Sequence, residues 1–221
     1  MALARQTVLI PRSLEAFQQH APSDTLTVFV HGYFAAAGVF DPLSKHLARV
    51  GVAPRQLHFS YMPAGSIDSL ARRLDERVRE VHGDRPVRIV GHSLGGLIGR
   101  YYAQVLGRPV DALVCLATPH AGTTRSKKWL PLQLAREIAP GSETLALLER
   151  TRDRLDGVRV CSIVAAHDAT VIPWRNAVLA GHEVVGVPAL AHQAMLFDRD
   201  VWGHIERVLR LGHVRAARTA A

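Results

Sequence analysis

The stretch from Val87 to Ala103 places a serine where local structure could make it a nucleophile. It begins with the largely apolar run Val-Arg-Ile-Val, which predicts a short buried strand. The pentapeptide Gly91 to Gly95 follows, with Ser93 at its centre, and apolar residues then recur at helical spacing. A strand, a tight glycine-flanked turn and a helix would lift the serine hydroxyl clear of a sheet. A serine held in this way can attack an electrophilic carbon when a neighbouring base takes its proton.

The pentapeptide Gly-x-Ser-x-Gly is weak evidence by itself, because the chain has 17 glycines in 221 residues. The pattern can arise by chance in a chain of this composition, as a glycine-rich turn with a bystander serine. The predicted strand before it and the predicted helix after it favour the functional interpretation.

Strands alternate with helices along the rest of the chain, which predicts an α/β fold with a mostly parallel central sheet and helices on both faces. Ligands of such sheets bind beyond the carboxyl ends of the strands. Polar residues follow those ends at His31, Ser93, His120, Asp168 and His192. We therefore expect them to meet at one edge of the sheet. The other predicted strands are Thr25 to Val30, Gln56 to Tyr61, Asp111 to Ala117, Val158 to Ala165 and Glu183 to Val187.

The segment Thr124 to Asp156 interrupts this alternation with two predicted helical pieces, Trp129 to Ile138 and Ser142 to Leu155. Because it follows the end of a strand, we interpret residues 124–156 as a small helical cap over the site. The alternative is an ordinary crossover helix with some elaboration. The apolar side chains in the first piece either form a lid face or pack on the core, and they are Trp129, Leu130 and Leu134.

Length and composition indicate a single globular domain spanning residues 1–221. The chain is 48% hydrophobic and 21% charged, with a net charge of +8. Its basic residues are mostly interleaved with acidic ones, which argues against a nucleic-acid partner. Apolar runs are too short to span a membrane and no export signal is recognisable, so we expect a cytoplasmic protein. Cys115 and Cys161 lie in apolar strands, which predicts two buried thiols rather than a disulfide.

The remaining helices are predicted at Gly38 to Val50, Ser66 to His82 and Asp198 to Leu211. The Ala- and Arg-rich tail from His213 is expected to be frayed.

Five motifs follow one another along the chain: Val28-Phe-Val-His-Gly-Tyr, Gly91-His-Ser-Leu-Gly-Gly, Thr118-Pro-His-Ala-Gly-Thr, Asp168-Ala-Thr-Val-Ile-Pro and the later His192. Together they resemble the α/β-hydrolase superfamily over about Leu26 to Val208. Within it, the chain is similar to the triacylglycerol lipases and carboxylesterases, and also to the hydrolases that deacylate inositol in lipid anchors.

The resemblance implies a catalytic triad of Ser93 as nucleophile, His192 as general base and Asp168 as the acid that orients the base. It also implies an oxyanion hole formed by the backbone N–H groups of Tyr33 and Leu94. We expect neither a cofactor nor a metal site, although secreted lipases of this kind often hold calcium. Candidate residues of the substrate pocket are Phe34, Trp129, Leu130 and Leu134.

The activity implied is hydrolysis of carboxylic esters through an acyl-enzyme intermediate. The partner would be a small ester or a lipid, with contact to a lipid surface as one possibility. A thioesterase or an acyltransferase would use the same triad, and the sequence does not separate them. An inactive binding protein on the same fold is a further alternative, although such proteins normally lack a triad residue. The sequence leaves the oligomeric state and the acyl-chain length open.

Overall fold

The computed structural model describes residues 24–33, 35–62, 64–125, 132–188 and 191–219, with side chains described as far as residue 211, apart from that of residue 132. The strands in these ranges are β1 (Leu26–Val30), β2 (Arg55–Phe59), β3 (Val87–His92), β4 (Val110–Leu116), β5 (Arg159–Ala165) and β6 (Glu183–Val187). All neighbouring pairs are parallel, in the order β2-β1-β3-β4-β5-β6. Every strand therefore ends at the same edge of the sheet.

Helices connect and flank these strands within the described ranges. They are α1 (Asp41–Arg49), α2 (Ile67–His82), α3 (Leu94–Gln104), α4 (Leu132–Glu137), α5 (Glu143–Arg150) and α6 (Arg199–Thr219). Shorter 3₁₀ turns lie at Ala37–Phe40, Arg152–Leu155, Trp174–Ala177 and Ala194–Phe197. In the part of the chain that the structure describes, no helix is both long and apolar enough to cross a membrane.

The sheet is buried on both faces, because side chains of a strand alternate between its two sides. In β1, Val28 packs into a cluster with α2 and α3, whereas its neighbour Phe29 packs into a second cluster with α1 and α6. Buried residues of α4 and α5, including Leu134 and Leu148, belong to the first cluster. The helices of segment 124–156 are therefore part of the main core on the α2–α3 face.

The predicted α/β class is confirmed, and the predicted strands lie within a few residues of the observed ones. Cys115 and Cys161 are both buried and free. The clearest difference is α6, which continues to Thr219 although a frayed tail was expected from His213. Alanine and arginine are strong helix formers, so this composition extends a helix already started by packing.

Candidate active site

The turn between β3 and α3 holds Ser93 in an unusual backbone conformation, with φ 53° and ψ −118°. A non-glycine residue at positive φ stores about 1–3 kcal/mol of strain, which surrounding contacts must balance. Here the Ser93 N–H donates to the carbonyl of Leu116 on β4 (2.8 Å), and its own carbonyl accepts from the N–H of Gly96 (3.0 Å). The turn thus fixes Ser93 at the amino end of α3, where the helix dipole favours negative charge.

Glycines allow this turn to pack directly on backbone. A Cβ atom on Gly95 would overlap the carbonyl oxygen of Val30 at the end of β1, and one on Gly96 would overlap Oγ1 of Thr118. Within the turn, a Cβ on Gly91 would lie 2.6 Å from the Cα of Gly96. The turn at Ser93 therefore contacts the backbone at the end of β1 and the side chain of Thr118 in the loop after β4.

Asp168 and His192 form a hydrogen-bonded pair at the ends of β5 and β6. His192 Nδ1 lies 2.7 Å from Asp168 Oδ2. Because an ionised carboxylate only accepts hydrogen bonds, Nδ1 carries the proton and Nε2 of the neutral ring holds a lone pair. That tautomer is the one a general base requires.

The carboxylate of Asp168 is almost fully buried yet held in its charged form. Burial raises its pKa. The hydrogen bond and charge of His192, together with the N–H groups of Val171 and Thr170, lower this pKa by more than burial raises it, so it lies below the ordinary value. The N–H of Thr170 lies 2.7 Å and that of Val171 3.0 Å from Oδ1. An ionised acid at this position can stabilise a positive charge on His192.

His92 connects His192 to the turn at Ser93. Its Nε2–H donates to the carbonyl of His192 (3.0 Å), and the two imidazole rings lie 4.7 Å apart between centroids. Since His92 precedes Ser93 in the chain, this contact ties the loop that carries His192 to the turn at Ser93. Burial lowers the pKa of His92 to about 3, so this ring stays neutral.

The loop after β1 lies against Ser93. A Cβ on Gly32 would be 3.0 Å from Cβ of Ser93. His31 Nδ1–H donates to the Gly32 carbonyl (2.8 Å), while the hydroxyl of Tyr61 donates to the His31 carbonyl (2.6 Å) and the two rings stack at 4.2 Å. These contacts fix the backbone that leads into Tyr33.

Two buried anchors attach α4 and α5 to the body of the protein. Arg100 of α3 donates to the carbonyl of Leu148 in the last turn of α5 (3.0 Å), and Gln104 donates to the same oxygen (2.7 Å). The negative end of a helix dipole suits a buried cation. At the other end, Glu137 of α4 accepts from the N–H of Ile67 at the start of α2 (2.7 Å).

Comparisons with known proteins were made against family models, curated proteins and solved structures. A family model described as the alpha/beta hydrolase fold matches residues 25–138, just over half of the chain. The chain belongs to this alpha/beta hydrolase family. The matched region contains Ser93 but ends before Asp168 and His192. No curated protein matches the sequence.

Solved structures similar to this alpha/beta hydrolase include named lipases and esterases. The mature form of a Bacillus licheniformis lipase has a TM-score of 0.71 at 14% identity, with 87% of this chain and 94% of that chain covered. A monoacylglycerol lipase of Paleococcus ferrophilus has a TM-score of 0.65 at 15% identity, covering 87% and 96%. A carboxylesterase structure from Nitrososphaera gargenis gives 0.59 at 15% identity, covering 87% and 93%. At these identities the likeness concerns the fold.

The predicted site residues of the alpha/beta hydrolase fall into three groups. Asp168 and His192 are hydrogen-bonded to each other, and His192 is bonded to His92, the residue before Ser93. Leu94 is the first residue of α3, where backbone N–H groups lack helical partners. Tyr33 is half-buried against the first core cluster, and Leu134 is fully buried in it. The assignment of Leu134 to the substrate pocket stays a prediction. Three further pocket candidates lie outside the described residues, namely Phe34, Trp129 and Leu130.

Sequence reasoning missed the side chains that brace the site from outside the triad. Tyr61 ends the segment predicted as the second strand, and its hydroxyl bonds the carbonyl of His31 in the loop after β1. Thr123 bonds the loop that carries Asp168, and Asn176, which follows that loop, bonds Gly122 in the loop after β4. The only available signal was for Thr123, which closes the motif Thr118-Pro-His-Ala-Gly-Thr.

Proposed function

We propose that this alpha/beta hydrolase cleaves carboxylic esters with Ser93 as nucleophile, His192 as general base and Asp168 as the acid that orients the base. The observation that carries the proposal is the strained turn at Ser93, linked through His92 to the hydrogen-bonded pair of His192 and Asp168. The lipase and carboxylesterase names of the similar structures support the choice of ester substrates.

The first half-reaction follows from the tautomer of His192. Its Nε2 takes the proton of the Ser93 hydroxyl as Oγ attacks the ester carbonyl carbon. The imidazolium that forms is stabilised by the buried carboxylate of Asp168. When the tetrahedral intermediate collapses, the same proton passes to the leaving alcohol and the acyl group remains on Ser93.

The negative charge of the tetrahedral intermediate requires donors in fixed positions. We assign them to the backbone N–H groups of Tyr33 and Leu94, on the loop after β1 and at the start of α3. One such donor contributes about 3 kcal/mol to transition-state stabilisation. Water then attacks the acyl-enzyme, with His192 again as base, and releases the acid.

Hydrolysis of p-nitrophenyl esters from acetyl to palmitoyl tests this proposal with wild type, Ser93→Ala and the exposed-serine control Ser60→Ala. We expect wild type and Ser60→Ala to be equally active and Ser93→Ala to lose about 10⁴-fold or more in kcat, because the nucleophile is gone. The acyl-chain length that gives the highest kcat/KM would indicate the size of the acyl pocket.

A fluorophosphonate probe separates failure of the triad from a wrong substrate class. Labelling of wild type that disappears in Ser93→Ala, without turnover of any ester, would keep the nucleophile and redirect the search to thioesters or acyl transfer. Labelling that persists in Ser93→Ala, or ester turnover unaffected by this substitution, would contradict the proposed triad.

A further inference from the structure

The loop that carries the acid has no regular secondary structure, yet its backbone is closely held. We define the acid loop as residues 168–173, between β5 and the 3₁₀ turn Trp174–Ala177. Asp168 Oδ1 accepts from the N–H groups of Thr170 and Val171, while Oδ2 faces His192. The direction of the carboxylate therefore depends on the peptide groups at residues 170 and 171.

The hydroxyl of Thr123, in the loop after β4, bonds the oxygen of one of these peptide groups, the one that joins Thr170 and Val171. It donates to the carbonyl of Thr170 (2.7 Å) and accepts from the N–H groups of Ile172 (3.2 Å) and Arg125 (3.2 Å). One donor and two acceptor positions are all that a hydroxyl has, so every one of them is used. The Thr123 side chain is buried, with 3% of the residue exposed.

The carbonyl of Thr170 and the N–H of Val171 belong to one planar peptide unit. Thr123 binds the oxygen end of this unit, and Asp168 Oδ1 binds its N–H end. A rigid unit with a hydrogen bond at each end transmits position from one to the other, and the two bonds polarise each other in the same direction.

We propose that Thr123 is a positioning residue, which holds the Asp168 carboxylate in line with His192 through the Thr170–Val171 peptide. The inference rests on the proposed triad and extends it by one hydrogen-bonded step. It also gives the motif Thr118-Pro-His-Ala-Gly-Thr a role, because its last residue makes the contact.

A second set of contacts attaches the same two loops next to the first. The Asn176 side-chain amide donates to the carbonyls of Gly122 (2.9 Å) and Ala121 (3.3 Å), and its own backbone carbonyl accepts from the N–H of Ala121 (3.0 Å). The N–H of Thr124 donates to the carbonyl of Ile172 (3.1 Å). These bonds hold the two segments together, so the Thr123 hydroxyl has a fixed position relative to the acid loop.

Thr123→Val tests the inference, because valine keeps the shape of threonine and removes only the hydroxyl. We expect kcat to fall roughly 10- to 100-fold with KM unchanged, since the acid stabilises a charge that exists only in the transition state. Thr123→Ser restores the hydroxyl and should return most of the activity. The matched control is Thr27→Val in β1, a buried threonine whose hydroxyl has no partner among the described residues, and it should match wild type.

A readout independent of turnover is the downfield proton resonance of the His192 Nδ1–H that faces Asp168, assigned by its loss in Asp168→Asn. We expect Thr123→Val to shift it or broaden it by faster exchange, and Thr123→Ser and Thr27→Val to leave it unchanged. If Thr123→Val unfolds, Asn176→Ala provides the second test, with a smaller shift in the same direction expected because it removes the neighbouring contacts.

The outcomes distinguish the inference from the function on which it rests. If the wild type neither turns over esters nor reacts with the fluorophosphonate probe, but its His192 resonance responds to Thr123→Val, the proposed function is overturned and the positioning role of Thr123 is supported. An active wild type whose kcat and resonance are the same in Thr123→Val and Thr27→Val would overturn the inference. Equal losses in Thr123→Ser and Thr123→Val would also overturn it, because the hydroxyl would then not be the group that matters.

Discussion

The free energy of unfolding is expected to fall steeply below about pH 6.5, the ordinary pKa of histidine. Burial lowers the pKa of His92 to about 3 and that of His120 well below its ordinary value, where the nearby charge of Arg100 adds to the effect. Both side chains are neutral in the folded protein, whereas the unfolded chain takes up their protons as pH drops. Above pH 6.5 these two histidines therefore do not reduce the free energy of unfolding. Below pH 6.5 they reduce it progressively, until the pH reaches their pKa values in the folded protein.

Each such group reduces the stability by about 1.4 kcal/mol for every pH unit, once the unfolded chain is protonated there. Two groups give about 3 kcal/mol per unit, so a drop of two units removes an amount comparable to the whole stability of an ordinary domain. His31, whose pKa burial also lowers, adds to the slope.

Urea unfolding at a series of pH values from 7.5 to 4.5 measures this slope. His92→Gln is the informative variant, because its amide can still donate to the carbonyl of His192 but cannot take up a proton. We expect the slope to be shallower in this variant by about 1.4 kcal/mol per pH unit, the contribution of one histidine. A stability that is constant between pH 7 and pH 5, or a slope equal in His92→Gln and wild type, would contradict the explanation.

Gly95→Ala is expected to destabilise the protein by more than about 3 kcal/mol, at the upper end of the cost of overpacking. The added methyl would overlap the Val30 carbonyl oxygen and lie 2.7 Å from the carbonyl oxygen of His31. Both are backbone atoms at the end of β1, so no side-chain rotation relieves the contact. Relief would require moving the nucleophile turn away from the loop that precedes Tyr33, which would also remove activity.

Gly203→Ala is the matched control, because a Cβ at this position of α6 meets no atom within 4 Å. Alanine within an exposed helix is more favourable than glycine by about 0.5–1 kcal/mol. We expect the two substitutions to shift the urea midpoint in opposite directions. A Gly95→Ala protein with wild-type stability would mean that the turn and β1 are not in the described contact.

Much of the fold could be predicted from local pattern. Apolar runs located the strands, with β6 predicted at its observed bounds. The α/β alternation implied that Ser93, Asp168 and His192 follow strands that end at the same edge of the sheet. Such predictions succeed because buried strands and helices repeat their apolar residues at characteristic spacings. They also succeed because parallel strands all end at the same edge of the sheet.

The braces of the site could not be predicted in this way. Thr123 meets residues 170 and 172, and Tyr61 meets His31, by single hydrogen bonds between irregular segments far apart in sequence. A lone hydroxyl in a loop has no periodicity, and its partners are backbone groups that every residue carries. The contact of Arg100 with the end of α5 is similar, since a buried cation normally predicts a carboxylate and here finds a carbonyl.

The contacts of the acid loop have a consequence for the time scale of its motion. Residues 170–172 lie outside helices and strands, yet their N–H groups donate to Asp168 Oδ1 or to Thr123 Oγ1. Amide hydrogens exchange with solvent only when such bonds open, and loops usually open first. Here we expect the amide hydrogens of Val171 and Ile172 to exchange as slowly as those of β5. The proposed acid would then belong to the last part of the molecule to open.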